Sequence, residues 1–97
     1  MTKEFKIELG EYLSRRRIQK GFTQAQVAKF CGYTSAQFIS NCERGIAPLP
    51  IPTLRKLVKY PDLSPDEVVS IFIAASKIEL MMKLGTLKPQ RRRRSRP

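Results

Sequence analysis

Apolar side chains recur along this chain at helical spacing in five separate stretches, and runs of strict polar–apolar alternation are absent. Phe5, Leu9, Tyr12 and Leu13 fall at i, i+4, i+7 and i+8, one face of a first helix that should start near Lys3 or Glu4 and end near Lys20 and Gly21. Its acids, Glu4, Glu8 and Glu11, come early, and Arg15, Arg16, Arg17 and Lys20 come late, the order the helix dipole favours. Thr23 with Gln26 three residues on makes a capping box for a short second helix whose apolar side is Val27, Ala28, Phe30 and Cys31. Gly32 stops it.

A third helix is expected from Ser35 to Glu43, capped by Ser35 or Thr34 and ended by Gly45. Phe38, Ile39 and Cys42 form its inner side; Ala36, Gln37, Ser40, Asn41 and Arg44 form the other. Pro48, Pro50 and Pro52 favour an extended connector. A fourth helix should run from Pro52 or Thr53 to Tyr60, with Leu54, Leu57 and Val58 facing inward. The fifth is announced by Ser64 as cap, Pro65 at the first helical position and Glu67 completing the box; it should reach Leu84 before Gly85. Twelve of its twenty residues are apolar, more than one stripe holds, so it needs cover on two sides. The fold class that follows is all-α, a compact bundle of about five helices containing a helix-turn-helix and a long C-terminal helix. Residues 1–87 form the domain, and 88–97 a disordered arginine-rich tail with too few apolar residues to fold.

Charge narrows the partner. Nineteen Lys and Arg against eight Asp and Glu give +11, and the tail from Lys88 carries six of the positive charges, leaving +5 on the domain itself. A basic domain seeks a polyanion, unless it is merely a soluble basic protein. No stretch resembles a signal peptide or approaches the length of a spanning helix, so a reduced, cytoplasmic protein with no membrane partner is expected. Cys31 and Cys42 fall on apolar helical positions and read as core thiols rather than redox switches. With no histidine, no cysteine cluster of metal-ligand spacing, no phosphate-cradling glycine loop and no paired carboxylates, neither a metal, a cofactor nor an enzyme is expected.

Two short helices joined by a tight turn, the second polar on its outer side, is the helix-turn-helix plan. The major groove admits one helix, whose outward side chains must be hydrogen-bonding groups and whose inward ones must lock it to its neighbour. Gln37, Ser40 and Asn41 can read bases, Gln and Asn being able to bond an adenine edge at two points; Phe38, Ile39 and Cys42 can lock. The alternatives are a capping box from Thr34 to Gln37 and a solvated face for Ser40 and Asn41.

Leu13, Arg16, Gly21, Phe22-Thr23-Gln24, Val27-Ala28, Gly32, Ile39-Ser40 and Glu43-Arg44-Gly45, followed by Pro52, Leu54 and Leu57, resemble the phage repressor and Cro type of helix-turn-helix, also called XRE-type, over about half the chain. The resemblance implies a compact bundle of about five helices, a two-fold dimer on palindromic double-stranded DNA, and a transcriptional regulator, a repressor first. It places Ala36, Gln37, Ser40 and Asn41 at base-facing positions, with a turn one residue longer than the commonest form. Thr23, Gln24, Lys29 and Arg44 are candidates for phosphates, Gln24 as the counterpart of the family's phosphate-contacting glutamine; Arg91, Arg92, Arg93 and Arg94 add non-specific phosphate attraction. Cys42 stands where the family often has a larger apolar residue. One of Arg15, Arg16 and Arg17 is a candidate partner for Glu43. Surplus apolar residues of the last helix, Ile73, Leu80, Met81 and Leu84, suit a homodimer seam, or a protein partner such as a toxin, sigma factor or polymerase subunit. A non-specific RNA- or nucleoid-coating protein driven by the tail is the third reading.

Overall fold

The computed structural model describes residues 2–86, which form five helices and no strand: α1 (Lys3–Gln19), α2 (Gln24–Phe30), α3 (Gln37–Glu43), α4 (Ile51–Lys59) and α5 (Pro65–Lys83). The tail from Lys88, with Arg91 to Arg94, lies outside the described residues. Local chemistry sets most of the boundaries. The Thr2 hydroxyl accepts from the Phe5 amide at the head of α1, and Thr23 and Gln26 close both halves of the capping box on α2. On α5 the Ser64 hydroxyl accepts from the Glu67 amide at 3.3 Å, with Pro65 in the first turn.

α3 departs from expectation. It begins at Gln37, not Ser35, and its cap position is Ala36, which offers no side-chain acceptor. The Ser35 hydroxyl instead accepts from the Gln37 amide at 3.3 Å, a local turn that competes with the helix for that N–H. The alternative for Gln37, a box with Thr34, does not form. α4 starts one residue before the expected proline, at Ile51, so Pro52 sits inside its first turn, where a missing N–H costs nothing.

α1 packs on α3 at one side and α5 at the other, and α2 packs on α3. Leu9 and Leu13, Val27 and Ala28, Ile39 and Cys42, Leu54 and Leu57, with Leu49 and Leu63 from the connecting segments, make one core. Tyr60 is stacked between Phe22 and Phe30, at ring-centre distances of 4.3 and 4.6 Å, and so joins the end of α4 to both ends of α2. The Tyr12 hydroxyl accepts from the Ser64 amide at 2.9 Å, tying α1 to the head of α5. α5 is less covered than its composition led one to expect: Ala75 is its only buried residue, and Phe72 reaches back to Phe5 in an edge-to-face contact at 5.2 Å.

The seam between α1 and α3 depends on glycine. A Cβ on buried Gly10 would overlap the Cys42 carbonyl oxygen and meet that of Glu43 at 3.0 Å, so α3's last turn rests directly on the α1 backbone. Gly45, at φ +74°, ends α3 with its amide on the Cys42 carbonyl and that of Ile46 on Asn41, and a side chain there would strike Ile7. Gly10→Ala should therefore destabilise the protein by about 1–3 kcal/mol through overpacking, read as a lower urea midpoint at unchanged slope.

Both cysteines are buried and unbonded to each other. Burial, then Glu43, then Cys31 push the Cys42 thiol up to about 11 from 9.0; Cys31 is also raised, by burial that outweighs the nearby Lys56. The folded chain thus favours the neutral thiol. That stabilisation is complete below about pH 9 and is lost as pH climbs toward 11, a difference of about 2–3 kcal/mol. Cys42→Ala should start less stable at pH 7 yet lose less between pH 9 and 11 in parallel denaturant titrations.

Candidate nucleic-acid interface

α3 is a short rod with one side in the core and the other in solvent. Ile39 and Cys42 are buried, and Phe38 packs at the core's margin against Tyr33, ring centres 4.8 Å apart. Gln37 and Arg44 are exposed, and Ser40 and Asn41 half-buried. All four lie on one face, since residues three, four and seven apart align on a helix. Ala36, expected among the base-facing residues, is half-buried just ahead of the helix at its cap position.

The outer side chains bond to one another. Gln37 Nε2 donates to Asn41 Oδ1 at 2.9 Å, and Arg44 donates to the same oxygen from Nη2 at 2.8 Å. No charge precedes Arg44 on this helix face.

What holds α3 at this angle is a buried knot at its base. Arg17 of α1 grips the Glu43 carboxylate from two nitrogens, Nε to Oε2 at 2.6 Å and Nη2 to Oε1 at 3.1 Å, and gives a third hydrogen bond to the Phe22 carbonyl at 2.9 Å. Gln24, the first residue of α2, donates to Oε1 at 2.9 Å. The side chains are 13% and 6% exposed for Arg17 and Glu43, so the pair is desolvated. The arginine partner expected for Glu43 is therefore Arg17. The inward turn of Gln24 was not anticipated: the residue expected at a phosphate spends one of its amide hydrogens on Glu43 and keeps the other, with its oxygen, at the half-exposed end of α2.

The remaining basic residues divide by task. Arg16 donates to the Asp62 carbonyl from Nε and Nη2, and both Arg16 and Lys20 pair with the Asp62 carboxylate. This holds Asp62 in a left-handed turn, φ +79°. Lys56 donates to the Cys31 carbonyl at the end of α2. Lys29, Arg44, Arg55 and Lys59 are exposed. Thr23 is exposed, its hydroxyl accepting from the Gln26 amide and keeping its own proton to donate. Of the residues expected at a dimer seam, Ile73, Leu80 and Leu84 are 61%, 57% and 67% exposed, whereas Met81 is half-buried. Val69 and Phe72, which sequence reading left out, are exposed beside them. Among the described residues no helix is long and apolar enough to cross a membrane.

The knot should behave as a unit. Glu43→Ala strands a buried guanidinium and is expected to cost about 3–5 kcal/mol. Replacing both members with apolar residues, Arg17→Met with Glu43→Leu, should recover most of that loss; simple additivity of the two single changes in a denaturation cycle would show that they act separately.

A family model described as a helix-turn-helix domain matches residues 8–70. Neither a curated protein nor a solved structure matches the chain.

Proposed function

The chain belongs to the helix-turn-helix domain family, and on that premise we propose that it is a sequence-specific regulator of the XRE type that binds double-stranded DNA, acting as a repressor. The observation that carries this reading is the outer face of α3: four hydrogen-bonding side chains, Gln37, Ser40, Asn41 and Arg44, presented to solvent on a helix whose base is fixed to α1 and α2. A rod of that kind fits a major groove about 12 Å wide. In this reading Thr23, Gln24 and Lys29, at the two ends of α2, hold phosphates, and the arginines 91–94 add attraction that ignores sequence. The setting is the cytoplasm, and no catalysis, metal or cofactor is invoked.

The protein works as a dimer in this reading. Val69, Phe72, Ile73, Leu80 and Leu84 leave on the order of 500 Å² of apolar surface on α5, a large patch for a small monomer. A second copy packed on it would pair two α3 helices, and a two-fold dimer of this kind reads half-sites one helical turn apart. The same patch supports a second reading, a protein-interaction module in which α5 binds a different protein and DNA contact is secondary.

Selection from a random duplex pool separates the two. The main reading expects an enriched palindrome with half-sites one helical turn, about 10 base pairs, apart. Gln37→Ala and Asn41→Ala should each weaken binding to that site by about 1–3 kcal/mol while largely sparing random duplex. Equal losses on both DNAs would count against base reading, and no retention of duplex at physiological salt would favour the protein-interaction module.

A further inference from the structure

The hydrogen bonds on the outer face of α3 assign the bases it can read, and we propose that Arg44 is a guanine-reading residue held in place by Asn41, with adenine recognition left to Gln37 alone. This rests on the reading of α3 as the groove helix.

The argument is a count of donors and acceptors. Asn41 Oδ1 accepts from Gln37 Nε2 at 2.9 Å and from Arg44 Nη2 at 2.8 Å. Two N–H groups pointing at one atom settle the orientation of that amide, because a flipped Asn41 would set its own N–H₂ against both donors. They also fill both lone pairs of the oxygen. Asn41 therefore meets the groove as a donor only. Two-point bonding to adenine needs an acceptor for N6–H and a donor to N7, and Asn41 has lost the acceptor. Gln37 spends one N–H on Asn41 and keeps Oε1 with a second N–H, the pair adenine requires.

Arg44 spends one of its five N–H groups and keeps four in a planar fork. Seven residues are close to two helical turns, so Arg44, at the C-cap of α3, lies in line with Gln37 at the other end of the face. The bond to Asn41 draws the guanidinium along that face rather than outward to a flanking strand. The face as a whole has a surplus of donors, and among base edges in the major groove guanine is the one with two acceptors side by side, N7 and O6. The role differs from the phosphate contact that resemblance implies for this position.

The test compares wild type, Arg44→Ala, Arg44→Lys and Asn41→Ala in selection from a random duplex pool, then measures affinity and salt dependence on the enriched site, on random duplex, and on the site with 7-deazaguanine replacing individual guanines. Arg44 is exposed at the end of α3, and circular dichroism verifies that its variants fold. The expected result is one guanine per half-site whose replacement costs wild type roughly 5- to 150-fold, with N7 deletion also weakening binding. Arg44→Ala abolishes that preference and has a much smaller effect on random duplex. Arg44→Lys retains part of the preference, and Asn41→Ala blurs it at the same base pair. The proposal is overturned if Arg44→Ala weakens selected and random DNA equally and lowers the salt slope by about one, the behaviour of a phosphate contact. It is also overturned if every base preference survives in the Arg44 variants while wild type enriches a site. If wild type enriches no site, sequence-specific binding fails first and this inference falls with it.

Discussion

The geometry of the candidate interface depends on one buried carboxylate. Glu43 closes α3, and its two oxygens receive Arg17 from α1 and Gln24 from α2. A buried ion pair is a poor source of net stability, because desolvating two charges offsets much of their attraction. It is a good source of direction. A guanidinium fork meets a carboxylate in one plane, so the bonds fix angle as well as distance. Apolar packing of Ile39 and Cys42 alone would hold α3 to the core while letting it roll about its own axis. With Glu43 pinned, and the last turn seated on the bare backbone at Gly10, the polar face has one orientation.

The same economy runs through the basic residues. A net charge of +11 invites the picture of a uniformly cationic surface. In the folded domain the densest described basic run, Arg15 to Arg17, serves the fold. Arg17 is tied into the knot, Arg16 clamps the Asp62 turn, and Arg15 lies over the Tyr12 ring at 5.9 Å. Lys56 caps the C-terminal end of α2. Lys29, Arg44, Arg55 and Lys59 stay exposed on and beside α2, α3 and α4. Net charge alone points to a polyanion and does not tell the arginines committed to the fold from the cations left exposed.

What was legible in the chain was whatever local chemistry decides. The capping box of Thr23 and Gln26, the proline and cap of α5, and the glycine that ends α3 each act within a few residues and stand where the pattern put them, although Glu67 does not complete the expected box on α5, because the Ser64 N–H donates to the Tyr12 hydroxyl from a distant helix. The start of α3 was misread because Thr34 and Ser35 both offer cap oxygens, and the choice between a cap and a tight turn is made by how the following helix docks. The inward bond of Gln24 was hidden for a different reason. Its partner is 19 residues away, and only tertiary structure brings Glu43 with an unfilled lone pair to the head of α2. Local pairing among Gln37, Asn41 and Arg44 was in principle readable from their spacing; treating each as an independent reader concealed it.

α5 sets the remaining constraint. The helix-turn-helix match ends at residue 70, so most of this helix and nearly all of its bare apolar face lie beyond the matched span. Its inner side packs on α1, with Ala75 buried, Val68 and Ile71 at the core's margin and Phe72 in edge-to-face contact with Phe5. The outer side of its nineteen residues has no cover among the described residues. A domain this small gains little margin from its core, and an uncovered row of Ile, Leu and Phe favours association over solubility. Under the proposed dimer both difficulties have one solution, because the apolar row that a lone subunit leaves wet becomes the element that sets the distance between two groove-reading helices. The fixed angle of α3 within each subunit then matters twice, since a base-reading face free to roll could not keep register with its partner one helical turn away.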